Sequence, residues 1–262
     1  MTPNKIPKTI HILWIGPHDP PLECIESWRK KHPKWNHIFW DETKLSEFDF
    51  QNKHAIKMSK TISGQVNVMR YEILKHYGGV FVDADALCLK SLDKGDFLQN
   101  EAFSCYVNEN YSQRIANGYM GCVKNYPLLD ELIERISKIP DSIFEAEENR
   151  SWMITGPEMV RKAIEETQDK IRIYPSVTFC PVHHSAVRAQ NWKEADIFAL
   201  QYWNSTHRGI NSASTRAKLD SALDEFHSEY FEFKKMQSIK KYSIISAISI
   251  SFLLGIFILM NN

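Results

Sequence analysis

Residues 67–89, NVMRYEILKHYGGVFVDADALCL, restrict what this chain can fold into more than any other stretch. They read as an amphipathic helix, a Gly-Gly turn and a short apolar strand ending in two carboxylates. Val66, Met69, Ile73 and Tyr77 recur at spacings of three and four, which predicts one buried helix face. Asn67 and Arg70, three apart, share a different face. Gly78-Gly79 stops the helix, because glycine enters the left-handed region without a steric penalty. Val80, Phe81 and Val82 then form the unbroken apolar run of a buried strand. Burying Asp83 beside them is unfavourable unless its charge is paired. Asp83 and Asp85 are therefore expected at the exposed carboxyl end of the strand, where open α/β sheets bind ligands. Two hard oxygen donors at that spacing suit Mg²⁺ or Mn²⁺. Asp-x-Asp alone also fits a solvated turn or a helix cap; the helix, glycines and strand ahead of it favour a ligand site.

The block RYEILKHYGGVFVDAD resembles the core of glycosyltransferase family 32 and is similar to the catalytic domain of large glucosylating bacterial toxins. IPKTIHILWIG, residues 6–16, resembles the family's opening strand, and weaker echoes follow at 117–121, 155–157 and 198–203. The resemblance covers about the first 210 residues, with its specific motifs in the first two blocks. It implies an α/β fold of the GT-A type, a Rossmann-like mixed sheet with flanking helices. It also implies transfer of a sugar from a UDP- or GDP-sugar to a glycan or lipid-linked acceptor, with retention of configuration.

Residue by residue, the resemblance would have Asp85 ligate the metal and Asp83 reach the metal or the ribose. Arg70 would hold the phosphates or the sugar. Charge building on the leaving diphosphate is opposed by a divalent cation and a fixed guanidinium, both strongest in a dry cleft. Trp14 matches the family tryptophan that stacks on the nucleobase, a platform an indole provides well; core packing is its other reading. Asn117 would contact donor or acceptor sugar, or simply hold a turn. Two departures stand out. Asn67 occupies the place of a common family acid, and an amide cannot carry charge. The segment 201–207, QYWNSTH, departs from a His-containing stretch closing with Ser-Trp that helps complete the metal and donor site. His207 is a candidate replacement ligand there, with His183 and His184 ranked behind it.

The chain has 262 residues, 43% of them hydrophobic, enough for one sizeable core. Lys plus Arg and Asp plus Glu balance at 32 each, so no basic field exists to attract nucleic acid. Cys24, Cys88, Cys105, Cys122 and Cys180 are odd in number and lack Cys-x-x-Cys spacing, which argues against a disulfide framework or zinc site and for burial in the core. The polar first eight residues are not expected to be a secretory signal.

Residues 9–15, 37–40, 102–107, 119–123, 171–174 and 197–202 read as strands, and 21–32, 128–138 and 157–166 as helices. Asp41 is placed to cap a helix, and Pro157 to open one. The opening βαβ order predicts a mainly parallel sheet, and acid-rich 140–150 reads as a loop. The expected organisation is a catalytic domain over 1–211, a polar helix over 212–241 and a membrane-spanning helix over 242–260. That last segment is uncharged, and its 19 residues span about 28 Å as a helix. Lys234, Lys235, Lys240 and Lys241 precede it, so the positive-inside rule puts the domain on the cytoplasmic side of a C-terminal anchor. The sequons at Asn110, Asn149 and Asn204 are then chance matches.

A haloacid-dehalogenase phosphatase also carries Asp-x-Asp after an apolar strand. It needs Thr or Val soon after and a later acidic pair, which Ala86-Leu87 and Gly95-Asp96-Phe97-Leu98 do not provide. An anchored pseudoenzyme binding partners is the non-enzymatic alternative, kept by Asn67 and the altered 201–207 segment.

Overall fold

The computed structural model describes residues 5–146, 150–204 and 213–260, the side chains of 241 and 244–260 excepted. In chain order the elements are β1 (Thr9–Leu13), α1 (Leu22–Lys31), β2 (Asn36–Trp40), α2 (Glu42–Ser46), α3 (Lys53–Met58), α4 (Ile62–Tyr77), β3 (Gly79–Val82), β4 (Ala86–Cys88), β5 (Ala102–Asn108) and β6 (Ser112–Cys122). There follow α5 (Pro127–Ser137), α6 (Asp141–Glu145), α7 (Ser151–Ile154), α8 (Pro157–Thr167), β7 (Arg172–Tyr174), β8 (Ala199–Gln201) and α9 (Ala213–Met260).

Six strands form one sheet in the order β2-β1-β3-β6-β5-β7. β1 pairs in parallel with both β2 and β3, and β7 is parallel to β5, whereas β6 runs antiparallel to both its neighbours. The sheet is thus mixed but mainly parallel, as expected: three of its five pairings are parallel, and β6 alone runs against the other strands. The strand expected over 197–202 is not in this sheet at all. Its core, β8, pairs antiparallel with β4 in a separate two-stranded ribbon, and this ribbon later proves to cover the acidic motif. The expected loop at 140–150 contains the short helix α6. Asp41 caps α2 by accepting from the Lys44 N–H at 2.8 Å, and Pro157 opens α8.

α4 carries a correction with consequences for the site. Val66, Met69 and Ile73 do pack inward, but Tyr77 is 40% exposed, and every residue from Asn67 to Leu74 is buried. A helix buried all round must be enclosed rather than laid on a surface. α4 packs against β3 and β6 on one side and against α3, α5 and α7 on the other. Its start is capped by the Thr61 hydroxyl, which accepts from the Gly64 N–H at 3.0 Å. Its end turns at Gly78, φ +64°, where a Cβ would sit 2.7 Å from the Lys124 nitrogen. Only glycine lets the chain pass this point into β3.

Two buried histidines tie separate parts of the chain together, and the first of them reaches that turn. His11 on β1 faces the Gly78 carbonyl with Nε2 at 2.9 Å, and its Nδ1 accepts from the Trp40 indole at 3.2 Å. His32 offers Nδ1 to the Trp28 carbonyl at 3.0 Å, while Nε2 accepts from the Leu92 N–H at 2.8 Å. Each ring therefore holds one donor and one acceptor role, the neutral imidazole. Burial pushes both down to about 4. Because the unfolded chain takes up protons first, this stability is complete above about pH 6.5 and is lost as pH falls toward about 4, by up to about 3 kcal/mol for each ring. The urea midpoint should fall steadily between pH 6.5 and 5, and substituting either histidine with Gln should flatten that slope; an unchanged slope in both variants would contradict the assignment.

The cysteines are all buried. Leu219, Leu223, Phe226 and Tyr230 in the first half of α9 pack on Trp192, Leu87 and Leu200, so this helix begins as part of the domain core and not as a free polar linker. Among the described residues no helix is long and apolar enough to cross a membrane. The segment expected to do so, 242–260, forms the last part of α9, and its side chains from 244 on lie outside the described residues.

Candidate active site

Arg70 is the centre of the polar cluster around the acidic motif. Full enclosure of α4 places its guanidinium inside the protein, 4% exposed, with Cζ 4.7 Å from the Phe81 ring. Nη2 donates to Asp83 Oδ1 at 2.9 Å and Nη1 to the Asn117 carbonyl at 2.5 Å. Nε has no partner among the described residues. A buried charge held by one carboxylate and one carbonyl, with a buried donor left over, is costly for the fold to keep.

Asp83 leaves β3 partly open, its side chain 32% exposed. Its N–H donates to the Gly118 carbonyl at 2.9 Å, and its carboxylate lies flat on Gly118. A Cβ at residue 118 would fall 2.3 Å from Asp83 Oδ2, so glycine is what lets the carboxylate reach Arg70. Gly118→Ala should displace Asp83 and weaken cation-dependent nucleotide binding by roughly tenfold, about 1.4 kcal/mol; calorimetry giving wild-type affinity would show that this carboxylate position is dispensable.

Asp85 differs from the expectation of an exposed strand end: it is 6% exposed. After Val82 the chain turns and runs on as β4, whose partner β8 closes over the second carboxylate. Gln201 on β8 donates from Nε2 to Asp85 Oδ1 at 2.7 Å, while the Tyr119 hydroxyl donates to Gln201 Oε1 at 2.7 Å and so fixes which way the amide points. The Asn204 N–H donates to Asp85 Oδ2 at 2.6 Å. Burial, and then the charge of Asp83, push Asp85 up to about 6. A buried carboxylate beside a second one is short of positive charge even with Arg70 present.

Asn67 and Asn117 belong to the same cluster. Asn117 Nδ2 donates to Asn67 Oδ1 at 2.8 Å and to the Tyr71 hydroxyl at 3.0 Å, which in turn donates to the Thr155 carbonyl at 2.8 Å. Asn67 Nδ2 lies 3.5 Å from the Ser151 carbonyl. An amide can donate there and a carboxylate cannot, which accounts for Asn in a place where acids are common. The cluster thus unites Asn67, Arg70, Asp83, Asp85 and Asn117. Trp14 stands apart, just past β1, half-buried, its indole donating to the His18 carbonyl at 2.7 Å. A cavity of about 520 Å³, whose lining does not include Trp14, is formed by Ile15, Gly16, Leu45, Phe48, Ile62 and Met69, with Glu42 and Gln65 in its wall.

His207 lies outside the described residues. Among those described, no group of three or more His, Cys, Asp or Glu side chains converges as a ready-made metal cage. Two clustered carboxylates are the donor set that Mg²⁺ or Mn²⁺ takes when substrate phosphates and water complete its shell, so Asp83 and Asp85 fit such an ion. Sequence reasoning passed over Gln201, Tyr119, Gly118 and Tyr71 as site residues. Their signal, small or polar residues in otherwise apolar strands, becomes specific only once β8 is seen above the motif.

Residues 21–104 match the family described as "Glycosyltransferase sugar-binding region containing DXD motif". This stretch is thus similar to a glycosyltransferase sugar-binding region. It includes Asn67, Arg70, Asp83 and Asp85, but neither Trp14 nor Asn117 nor Gln201. The chain is 30% identical over 151 residues to Inositol phosphoceramide mannosyltransferase 1 of Schizosaccharomyces pombe, covering 54% of this chain and 46% of that protein. It is 28% identical over 141 residues to Uncharacterized glycosyltransferase L373 of Acanthamoeba polyphaga mimivirus, covering 50% of this chain and 55% of that protein. The chain thus spans about half the length of these relatives. Among solved structures, PaToxG Glycosyltransferase overlaps with a TM-score of 0.45 and 18% identity, over 63% of this chain and 70% of that one.

Proposed function

We propose that the protein is a divalent-cation-dependent glycosyltransferase of GT-A type that moves a sugar from a nucleotide-sugar donor to a glycan or lipid-linked acceptor, with retention. The observation that carries this reading is the buried Arg70 guanidinium, tied to Asp83 and Asn117 and keeping one donor unpartnered beside the Asp83–Asp85 pair. The sugar-binding region and the mannosyltransferase similarity support it.

The indole of Trp14 would be the base platform, and the separate cavity lined by Ile15, Gly16 and Met69 has the size and apolar lining of a small-molecule site. Arg70 would hold the leaving phosphate, and Asn67 and Asn117 would orient the sugar. A Mg²⁺ or Mn²⁺ ion held by Asp83 and Asp85 would neutralise charge on the diphosphate as it departs.

Calorimetric titration of Mn²⁺ with UDP and with GDP tests the reading. Micromolar binding of one nucleotide only in the presence of the cation is expected, and no binding of either would refute it. The remaining assignments are the catalytic domain over 1–211, insertion of 242–260 into a membrane and a cytoplasmic domain. Four lysines ahead of an uncharged helical segment support them. A mobility shift on N-glycosidase treatment after expression in eukaryotic cells would place the domain in the lumen instead.

A further inference from the structure

Beyond the acidic motif, on the side where β8 ends, four aromatic rings form a continuous row. Trp203 packs edge-on against His184 with centroids 5.5 Å apart, His184 lies 3.8 Å from His183, and His183 lies 5.6 Å from Tyr111. Three separate parts of the chain supply these rings: the residues after β8, a tight turn at 183–186 and the tip of the β5–β6 hairpin. Their convergence is not a by-product of one element.

The row is fixed at its inner end. Trp203 has φ +57°, a conformation that a bulky side chain adopts only when its surroundings impose it. That one residue does two things. Its indole N–H donates to the Val182 carbonyl at 2.9 Å, just before His183, and its backbone delivers the next N–H, that of Asn204, to Asp85 Oδ2. The outer end is open, since Tyr111 is 73% exposed while His183 beneath it is buried. The turn that presents the histidines is closed by hydrogen bonds from the His183 N–H to the Val187 carbonyl and from the Ala186 N–H to the His183 carbonyl, both 2.8 Å.

A row of flat, fixed rings leading from a reacting centre to solvent offers what the ring of a polyol needs: apolar faces for its C–H groups and polar edges for its hydroxyls. Burial, reinforced by the nearby charges of His184 and Arg114, pushes His183 down to about 3, so the buried ring that backs Tyr111 and His184 stays neutral at physiological pH. We propose that Tyr111, His184 and Trp203, backed by the buried His183, form an acceptor subsite that stacks a pyranose or cyclitol ring next to the Asp85 end of the site. This rests on the glycosyltransferase reading for its purpose, although binding of the ring is measurable without it.

The test is saturation-transfer NMR on the full chain with methyl α-mannopyranoside and with myo-inositol as probes, alongside titration of Mn²⁺ with UDP or GDP. Wild type should bind at least one probe, with transfer strongest to its C–H protons. Tyr111→Ala and His184→Ala should each weaken binding roughly fivefold to tenfold, whereas His184→Phe, which keeps a ring face, should retain it. Melting temperatures check the fold, and the exposure of Tyr111 makes its substitution structurally mild. No binding of either probe by wild type, or wild-type affinity in both alanine variants, would overturn the subsite. Failure of both nucleotides to bind would instead count against the glycosyltransferase reading.

Discussion

Removing the charge of Asp85 is expected to abolish cation-dependent nucleotide binding, a loss of at least about a hundredfold in affinity, or about 2.7 kcal/mol. The variant must be chosen with the structure in mind. Asp85→Ala leaves the Gln201 amide and the Asn204 N–H facing an emptied, buried space, with about 1–3 kcal/mol lost for each unsatisfied donor. Asp85→Asn preserves the volume and the acceptor for Gln201 while removing the negative charge. Its NH₂ then faces the Asn204 N–H, so without cation it should melt below wild type but above Asp85→Ala, which leaves both donors unsatisfied. The stabilisation that Mn²⁺ with nucleotide confers on wild type should be absent from it. Wild-type nucleotide affinity in a folded Asp85→Asn protein would remove Asp85 from the metal site.

Arg70→Ala should lower sugar transfer or donor hydrolysis by on the order of a hundredfold, about 2.7 kcal/mol of transition-state stabilisation. Two losses combine: the positive charge facing the leaving phosphate, and the contact that draws Asp83 onto Gly118. Arg70→Lys should recover little. The two terminal nitrogens of the guanidinium serve different partners, Asp83 and the Asn117 carbonyl, and a single ammonium cannot reproduce that planar fork. Wild-type turnover in the alanine variant would refute the role, and full rescue by lysine would reduce it to charge alone.

The two substitutions probe links of different legibility. Asp83, Asp85 and Arg70 stand out in the sequence because a carboxylate pair after an apolar strand, and an arginine on the preceding helix, are chemically costly unless something uses them. Asn67 and Asn117 were named as residues, but nothing in their spacing told that they bond to each other across 50 positions. Gln201 was visible only as a departure from a familial pattern. Its meaning, an oriented amide on the second carboxylate, depends on Tyr119 and on a strand pairing between residues more than 100 positions apart.

By itself the sequence determined the local elements and their punctuation: the turn at Gly78-Gly79, the cap at Asp41, the apolar run of β3 and the place of the acidic pair. These follow from short-range physics, in backbone freedom, hydrophobic period and the penalty for burying charge. Only the tertiary structure decided which of those charges is buried. That Asp85 lies under β8, that Arg70 sits inside an enclosed helix, and that four rings from three segments meet beyond Trp203 depend on contacts between residues far apart in the chain. A period of two or of 3.6 tells a residue which face it occupies, not what lies across from that face. The environment of a charged group is set by that opposite partner, which only the assembled fold supplies.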